Sequence, residues 1–240
     1  MGQSYFIWKN KDCRSMGVKL EGPVSIVRPE ERVKHVEIPG RSGDLTETEG
    51  AEVYNSYIQT ATILVKGGFR IREIYNWLKG VGYVTFSGEP DRRQPARVIG
   101  AITLDKHSHN LDWWTGEVQF YCQPMKEKLQ EETQTVTSSG TAVMNAGDVT
   151  AKPKITMTAS GTTATVAAGG NTLLCTALTS GHVYELDAET QEFIDVTTPA
   201  TPVSCTNKTS GNFPVLKKGS NSVTGSGWSQ LVINKRERFL

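Results

Sequence analysis

The sequence predicts a mainly β protein in two parts: an N-terminal β-sandwich or split-barrel domain with one helix and a β-hairpin arm, then a C-terminal β-sandwich or jelly roll. Three observations carry that prediction. Many short runs alternate apolar and polar residues with the two-residue period of a half-buried strand. Only one segment has the 3.6-residue period of an amphipathic helix. Near residues 126–135 the composition passes from charged and aromatic to Ser, Thr, Gly and Ala, which sets a boundary between residues 1–130 and 131–240.

The first element is "VEIPGRSGDL", Val36 to Leu45. A strand-like run is broken by Pro39-Gly40-Arg41-Ser42-Gly43-Asp44 and resumes at Leu45. The glycines permit positive φ, so the stretch reads as the turn and flanks of a hairpin. The helix is "FRIREIYNWLKG", where Ile71, Ile74, Tyr75 and Leu78 form one stripe with Trp77 beside it. Gly67-Gly68 mark its entry and Gly80 its left-handed C-terminal end. "ARVIGAITLD" reads as one strand with Val98, Ile102 and Leu104 on a face. "WTGEVQFYCQP" is the cleanest strand: Trp114, Gly116, Val118, Phe120 and Cys122 point one way, Thr115, Glu117, Gln119 and Tyr121 the other, and Pro124 stops it. In the second part "KITMTASG", "ATVAAGG", "HVYELDAETQEFIDV" and "SQLVINKRERF" are strands separated by Gly, Asn and Pro, and "YELDAETQEFI" is a hairpin. No repeat of solenoid period is present.

Composition narrows the function classes. The 240 residues are 37% hydrophobic and 21% charged with net charge +1, so there is no basic stripe for nucleic acid and no polybasic membrane address. No apolar run reaches the roughly 20 residues of a membrane-spanning helix. The start "MGQSYFIWKNKD" lacks a signal-peptide core and a myristoylation pattern, so the chain is expected to be made and kept in the cytosol or released other than by secretion.

Chemistry is sparse. Cys13, Cys122, Cys175 and Cys205 are scattered, with no metal spacing, and read as small buried hydrophobes. P-loop, GxGxxG, HExxH, EF-hand and GxSxG patterns are missing. "DKHSHNLD" places His107 and His109 near Asp105 and Asp112, which reads as a polar hairpin loop in preference to a metal site. Glu185, Asp187, Glu189 and Glu192 cluster at a hairpin tip, where solvated charge is the ordinary outcome. Trp228 and Tyr184 are either core aromatics or, in the alternative reading of a carbohydrate-binding module contacting host-wall glycan, stacking platforms for sugar. The sequon at Asn207 carries no meaning without export. With no constellation for catalysis, the reading is of a structural part, not an enzyme, with no cofactor and no metal.

A series of motifs resembles the distal tail proteins of long, non-contractile-tailed bacteriophages. "FIWKNKDCRSMGV" matches at Trp8, Asp12, Met16 and Gly17, with Asn10 where Gly is usual and Cys13 where Ser is usual. The Pro-Gly-Arg-(Asp/Ser)-Gly signature falls on Pro39 to Gly43, the "sGEPDR" strand exit on Ser87 to Arg92, and "VQFYCQP" matches the closing strand. The match runs in order over about residues 5–125. It is looser beyond, where "AKPKITMTASG" resembles the start of the family's galectin-like sandwich and Phe213, Pro214, Leu216, Gly219 and Asn221 fit a strand-pair motif. The resemblance implies a homo-hexameric ring at the virion tail tip, assembled in the host cytoplasm. The ring would join the tail tube protein to the tail-associated lysin or fibre protein and to receptor-binding or baseplate proteins, with residues 1–130 forming it and the galectin-like domains projecting as docking platforms. In that setting Pro39, Gly40, Arg41, Ser42, Gly43, Asp44 and Leu45 are the inter-subunit arm, with Arg41 and Asp44 pairing to the next subunit.

Overall fold

The structure, a computed structural model, describes residues 4–48, 50–108 and 111–240. The chain divides into two compact units, Met1–Leu129 with Leu240, and Gln130–Phe239. Both are built from strands, and the helix of the N-terminal unit is the one α-helix among the described residues.

The N-terminal unit contains β1 (Phe6–Trp8), β2 (Lys11–Asp12), β3 (Val18–Leu20), β4 (Val33–Glu37), β5 (Asp44–Thr48), β6 (Tyr57–Lys66), α1 (Ile71–Trp77), β7 (Val81–Phe86), β8 (Arg92–Ile99), β9 (Leu104–Ser108), β10 (Leu111–Cys122) and β11 (Lys126–Lys128). The main sheet runs β2-β1-β7-β8-β10-β6-β3, antiparallel at every step. Strand β10 is its spine. It pairs with β6 from Trp113 to Cys122, and its other edge serves β8 at Gln119 to Cys122 and β9 at Leu111 to Gly116. The alternation read from the sequence places Val118, Phe120 and Cys122 fully inside, against Phe6, Trp8, Ile63, Val65 and Ile74.

Two indoles lock α1 to β1. Trp8 Nε1 donates to the Trp77 carbonyl at 3.1 Å and Trp77 Nε1 donates to the Trp8 carbonyl at 3.1 Å. Trp77 also stacks on Phe6, with ring centroids 5.6 Å apart. A seven-residue helix is too short to hold itself in water, so these contacts and the burial of Ile74 and Leu78 supply its stability. Two expectations for this region are corrected. Tyr75 faces solvent, because α1 buries only the edge of its stripe, and the helix ends at the cap Leu78, two residues before the left-handed Gly80. "ARVIGAITLD" is two strands, since the chain leaves β8 at Ile99 and turns at Gly100 before β9 begins at Leu104.

The C-terminal unit is a two-sheet sandwich. The strands of the sandwich are β12 (Thr133–Val136), β13 (Thr141–Asn145), β14 (Lys154–Ala159), β15 (Ala164–Ala168), β16 (Asn171–Cys175), β17 (Val183–Asp187), β18 (Glu192–Asp195), β19 (Val203–Ser204), β20 (Thr209–Gly211), β21 (Gly219–Ser226) and β22 (Trp228–Asn234), and a short strand β23 (Arg238–Phe239) follows them. One sheet is ordered β12-β22-β14-β17-β18-β19 and the other β13-β21-β15-β16-β20. Inward residues of both sheets, among them Ile155, Met157, Val166, Leu173, Phe193, Val223, Leu231 and Ile233, form one core. Asn145 is buried and fully paired: its Nδ2 donates to the carbonyls of Val149 and Leu216, and its Oδ1 accepts from Gly147 N. Asn221 does the same for the Leu216–Gly219 loop, accepting from Lys217 N and donating to the Lys217 and Gly219 carbonyls. This is the physical content of the Leu216-Gly219-Asn221 motif.

Candidate interface surfaces

Most of the residues offered by the sequence for chemistry are engaged in holding the fold, while Asp105 and His107 stand exposed on β9. Tyr184 and Trp228 are core residues; Trp228 Nε1 donates to the Thr165 carbonyl and Tyr184 stacks on Phe193. The sugar-stacking role suggested for these two aromatics is therefore not available to them in the folded chain. Of the carboxylates at the β17–β18 hairpin, Asp187 accepts two bonds from Arg236 at 2.8 Å each, Glu185 pairs with Lys154, and Glu189 with Arg238. Burial pushes the Asp187 carboxyl up, but the Arg236 guanidinium and the N–H groups of Glu189 and Thr190 outweigh it and hold it below its usual range. Asp112 accepts from Trp114 Nε1 and from Gly68 N, which lowers its pKa and ties β10 to the turn before α1. His109 lies outside the described residues, and among those described no group of His, Cys, Asp and Glu is arranged to hold a metal ion. All four cysteines are buried and free, and burial pushes the thiols of Cys122 and Cys175 up to about 12.

Three surfaces among the described residues stand open to a partner. The first is the hairpin. Strands β4 and β5 pair from Val33–Thr48 to Glu37–Asp44 as a two-stranded sheet of their own, and every residue of β5 is exposed. Gly40 and Gly43 both take φ of 81°, the conformation that lets six residues reverse the ribbon. The structure thus places Pro39 to Leu45 together at the tip of an arm. Glu37 and Asp44 face each other across its neck, and among the described residues neither they nor Arg41 has an ion-pair partner within the chain.

The second surface is the outer face of the main sheet. Ile58, Tyr121, Arg97 and Val81 stand in one row across β6, β10, β8 and β7, each directly opposite the next. Ile58 is 52% exposed, Tyr121 40% and Val81 65%. In the adjacent row Arg93 lies 4.4 Å from the Tyr83 ring centroid, beside Pro95. Tyr, Arg and aliphatics gathered on an open face have the composition of a protein interface core. The row was missed from sequence, although one signal was present: Tyr121 is an aromatic on the polar face of its strand.

The third is a groove of about 590 Å³ lined by Arg14, Lys19, Lys66, Phe69, Arg70 and Trp113. Local sequence builds it. Gly17 sits at φ 72° after the Cys13–Met16 turn, a left-handed conformation that favours glycine, and the Arg70 guanidinium lies over it. Lys66 pairs across the sheet with Trp113, and Lys19 approaches from β3; their ammonium groups lie 5.8 and 5.7 Å from the Trp113 ring. Phe69, 82% exposed, carries Arg70 at 5.6 Å from its ring. Among the described residues Lys19, Lys66 and Arg70 have no carboxylate partner, whereas Arg14 is clamped to Asp12.

No family model matches the chain, and no curated protein matches it. Among solved structures, the chain is similar to the Dit protein of phage SPP1, a hub adsorption protein of phages infecting Gram-positive bacteria. The TM-score is 0.79 at 18% identity, and the likeness covers 100% of both chains. The protein has, over its whole length, the fold of a phage distal tail hub protein.

Proposed function

We propose that this chain is a structural virion protein, the distal tail hub of a long, non-contractile-tailed phage, acting by assembly and not by catalysis. The observation that carries the reading is the full-length likeness of fold to the hub protein of SPP1. The free-standing arm supports it, since a ribbon with two open edges and an unpaired acidic neck suits a neighbour that supplies the missing contacts. Six copies close head to tail into a ring through residues 1–130, with Pro39 to Leu45 of each arm on the next subunit. The ring joins the tail tube protein on one side to the tail-associated lysin or fibre protein and the receptor-binding or baseplate proteins on the other. The galectin-like sandwich, residues 131–240, provides docking platforms, and the ring is assembled in the host cytoplasm before it becomes the virion tail tip.

Solution mass by light scattering, with negative-stain images of the same peak, tests the proposal. The chain of 26.3 kDa predicts about 158 kDa for six copies and rings with a central hole. Deleting residues 39–46 is expected to leave a folded monomer slightly lighter than the 26.3 kDa of the full chain. A chain that is monomeric at all concentrations, alone and with its tube protein, refutes the reading, whereas a deletion variant that still forms rings refutes only the role given to the arm.

A further inference from the structure

We infer that the cationic aromatic groove between β3, β6 and the turn before α1 receives the acidic tip of the hairpin arm of a second copy of this chain. The inference rests on the ring proposed above and names the receiving site, which the ring itself leaves open.

The two surfaces are matched in charge. The groove gathers Lys19, Lys66 and Arg70 beside Arg14, which Asp12 already clamps, and its lining carboxylate Asp112 has its oxygens occupied by Gly68 N and Trp114 Nε1. The arm from Val33 to Thr48 carries Glu37, Asp44 and Glu47 against Lys34 and Arg41, and because Lys34 stands opposite Glu47 the acidic excess falls on Glu37 and Asp44 at the neck. Each surface also lacks its counter-charge by itself. Glu37 and Asp44 are like charges at directly opposed positions, which destabilises a ribbon, and a two-stranded ribbon is marginal to begin with. Lys19 and Lys66 each hold an ammonium group near the Trp113 ring with no carboxylate partner among the described residues. Seating the arm neck beside those ammonium groups gives the opposed carboxylates their counter-charge.

The surfaces are matched in polarity as well. The tip places Ile38 and Leu45, each exposed, beside its carboxylates, and the groove places Phe69 and Trp113 beside its cations. An acidic segment that also carries aliphatic side chains covers both. The contact joins two different surfaces of the same chain, so it is heterologous and can close into a ring.

Charge reversal distinguishes this site from any other that the arm could occupy. Lys19→Glu with Lys66→Glu is expected to convert the ring to monomer, as is Glu37→Lys with Asp44→Lys, each without change in the circular dichroism spectrum. All four changes in one chain are expected to restore the ring. Leu45→Cys with Phe69→Cys is expected to give a ladder of disulfide-linked chains on a non-reducing gel, free of background because the four native thiols are buried. If the groove-reversed chain forms full rings and the cysteine pair does not cross-link, the arm rests elsewhere on its neighbour; the inference falls while the ring stands. If the unaltered chain forms no rings, alone or with its tube protein, the inference falls together with the reading beneath it. Should the unaltered chain form no rings but bind polyglutamate through Lys19 and Lys66, the groove belongs to a different acidic partner, and the second copy is overturned as its occupant.

Discussion

Trp8 and Trp77 show how single residues set the geometry of the N-terminal unit. Each indole N–H is satisfied by the carbonyl of the other residue, so the pair fixes both the position of α1 and its rotation. Replacing Trp77 with Phe keeps most of the ring that stacks on Phe6 but removes one donor and leaves the Trp8 carbonyl short of it. An unpaired polar group of this kind costs about 1–3 kcal/mol. Urea unfolding of the arm-deleted chain is expected to show Trp77→Phe less stable by about that amount with an unchanged m-value. An unaltered midpoint would mean that stacking alone holds the helix. The charged face of α1 is expected to tolerate change, since Tyr75 and its exposed neighbours contribute nothing to this lock.

At the scale of elements, the β17–β18 hairpin is clamped from outside by Arg236, which follows β22. Both side chains of the Arg236–Asp187 pair are largely screened from water, and the geometry is two-pronged. Arg236→Met is expected to destabilise the chain by about 2 kcal/mol at pH 7. The Asp187 carboxyl has a native pKa below its ordinary 3.8, so the clamp contributes above pH 3.8 and its contribution is lost as pH falls through the lower native value. The stability gap between wild type and Arg236→Met should therefore be constant from pH 7 to 5 and close below about pH 4. A gap independent of pH to 2.5 would place the loss in the methylene packing of Arg236 and not in its charge. This clamp also marks where sequence reading stopped. Strands with strict alternation, such as β10 and β14, were legible because one buried face repeats every second residue. The hairpin of β17 and β18 was legible too, but its carboxylates read as solvated because Arg236 and Asp187 are 49 positions apart. The groove was hidden for the same reason, its cations coming from Arg14, Lys19, Lys66 and Arg70 on separate elements. The arm tip was legible because its glycines and its exposed charges are contiguous.

On the scale of the whole chain, the distribution of buried residues predicts how the protein melts. One core draws its members from Phe6 to Cys122 and the other from Val136 to Ile233, and neither borrows a large side chain from the other's stretch of sequence. A hydrophobic core closed within one contiguous segment is the condition for folding alone. Residues 130–239 expressed by themselves are expected to melt cooperatively, with calorimetric and van 't Hoff enthalpies equal. In the arm-deleted full chain, where assembly does not couple subunits, two transitions are expected. Phe120 is fully buried and touches Phe6, Trp8 and Phe86 at ring-centroid distances of 5.4, 5.4 and 5.8 Å. Its replacement by Ala removes about 3–5 kcal/mol from the N-terminal core alone. Calorimetry of Phe120→Ala should then lower one transition by roughly 10 °C or more and leave the other, matched to the isolated 130–239 fragment, where it was. If both transitions fall together, or the fragment does not fold, the two units are one cooperative body. A sandwich that could not hold its shape independently would be poorly suited to the docking role proposed for it, so this measurement bears on the proposed function as directly as the mass of the ring.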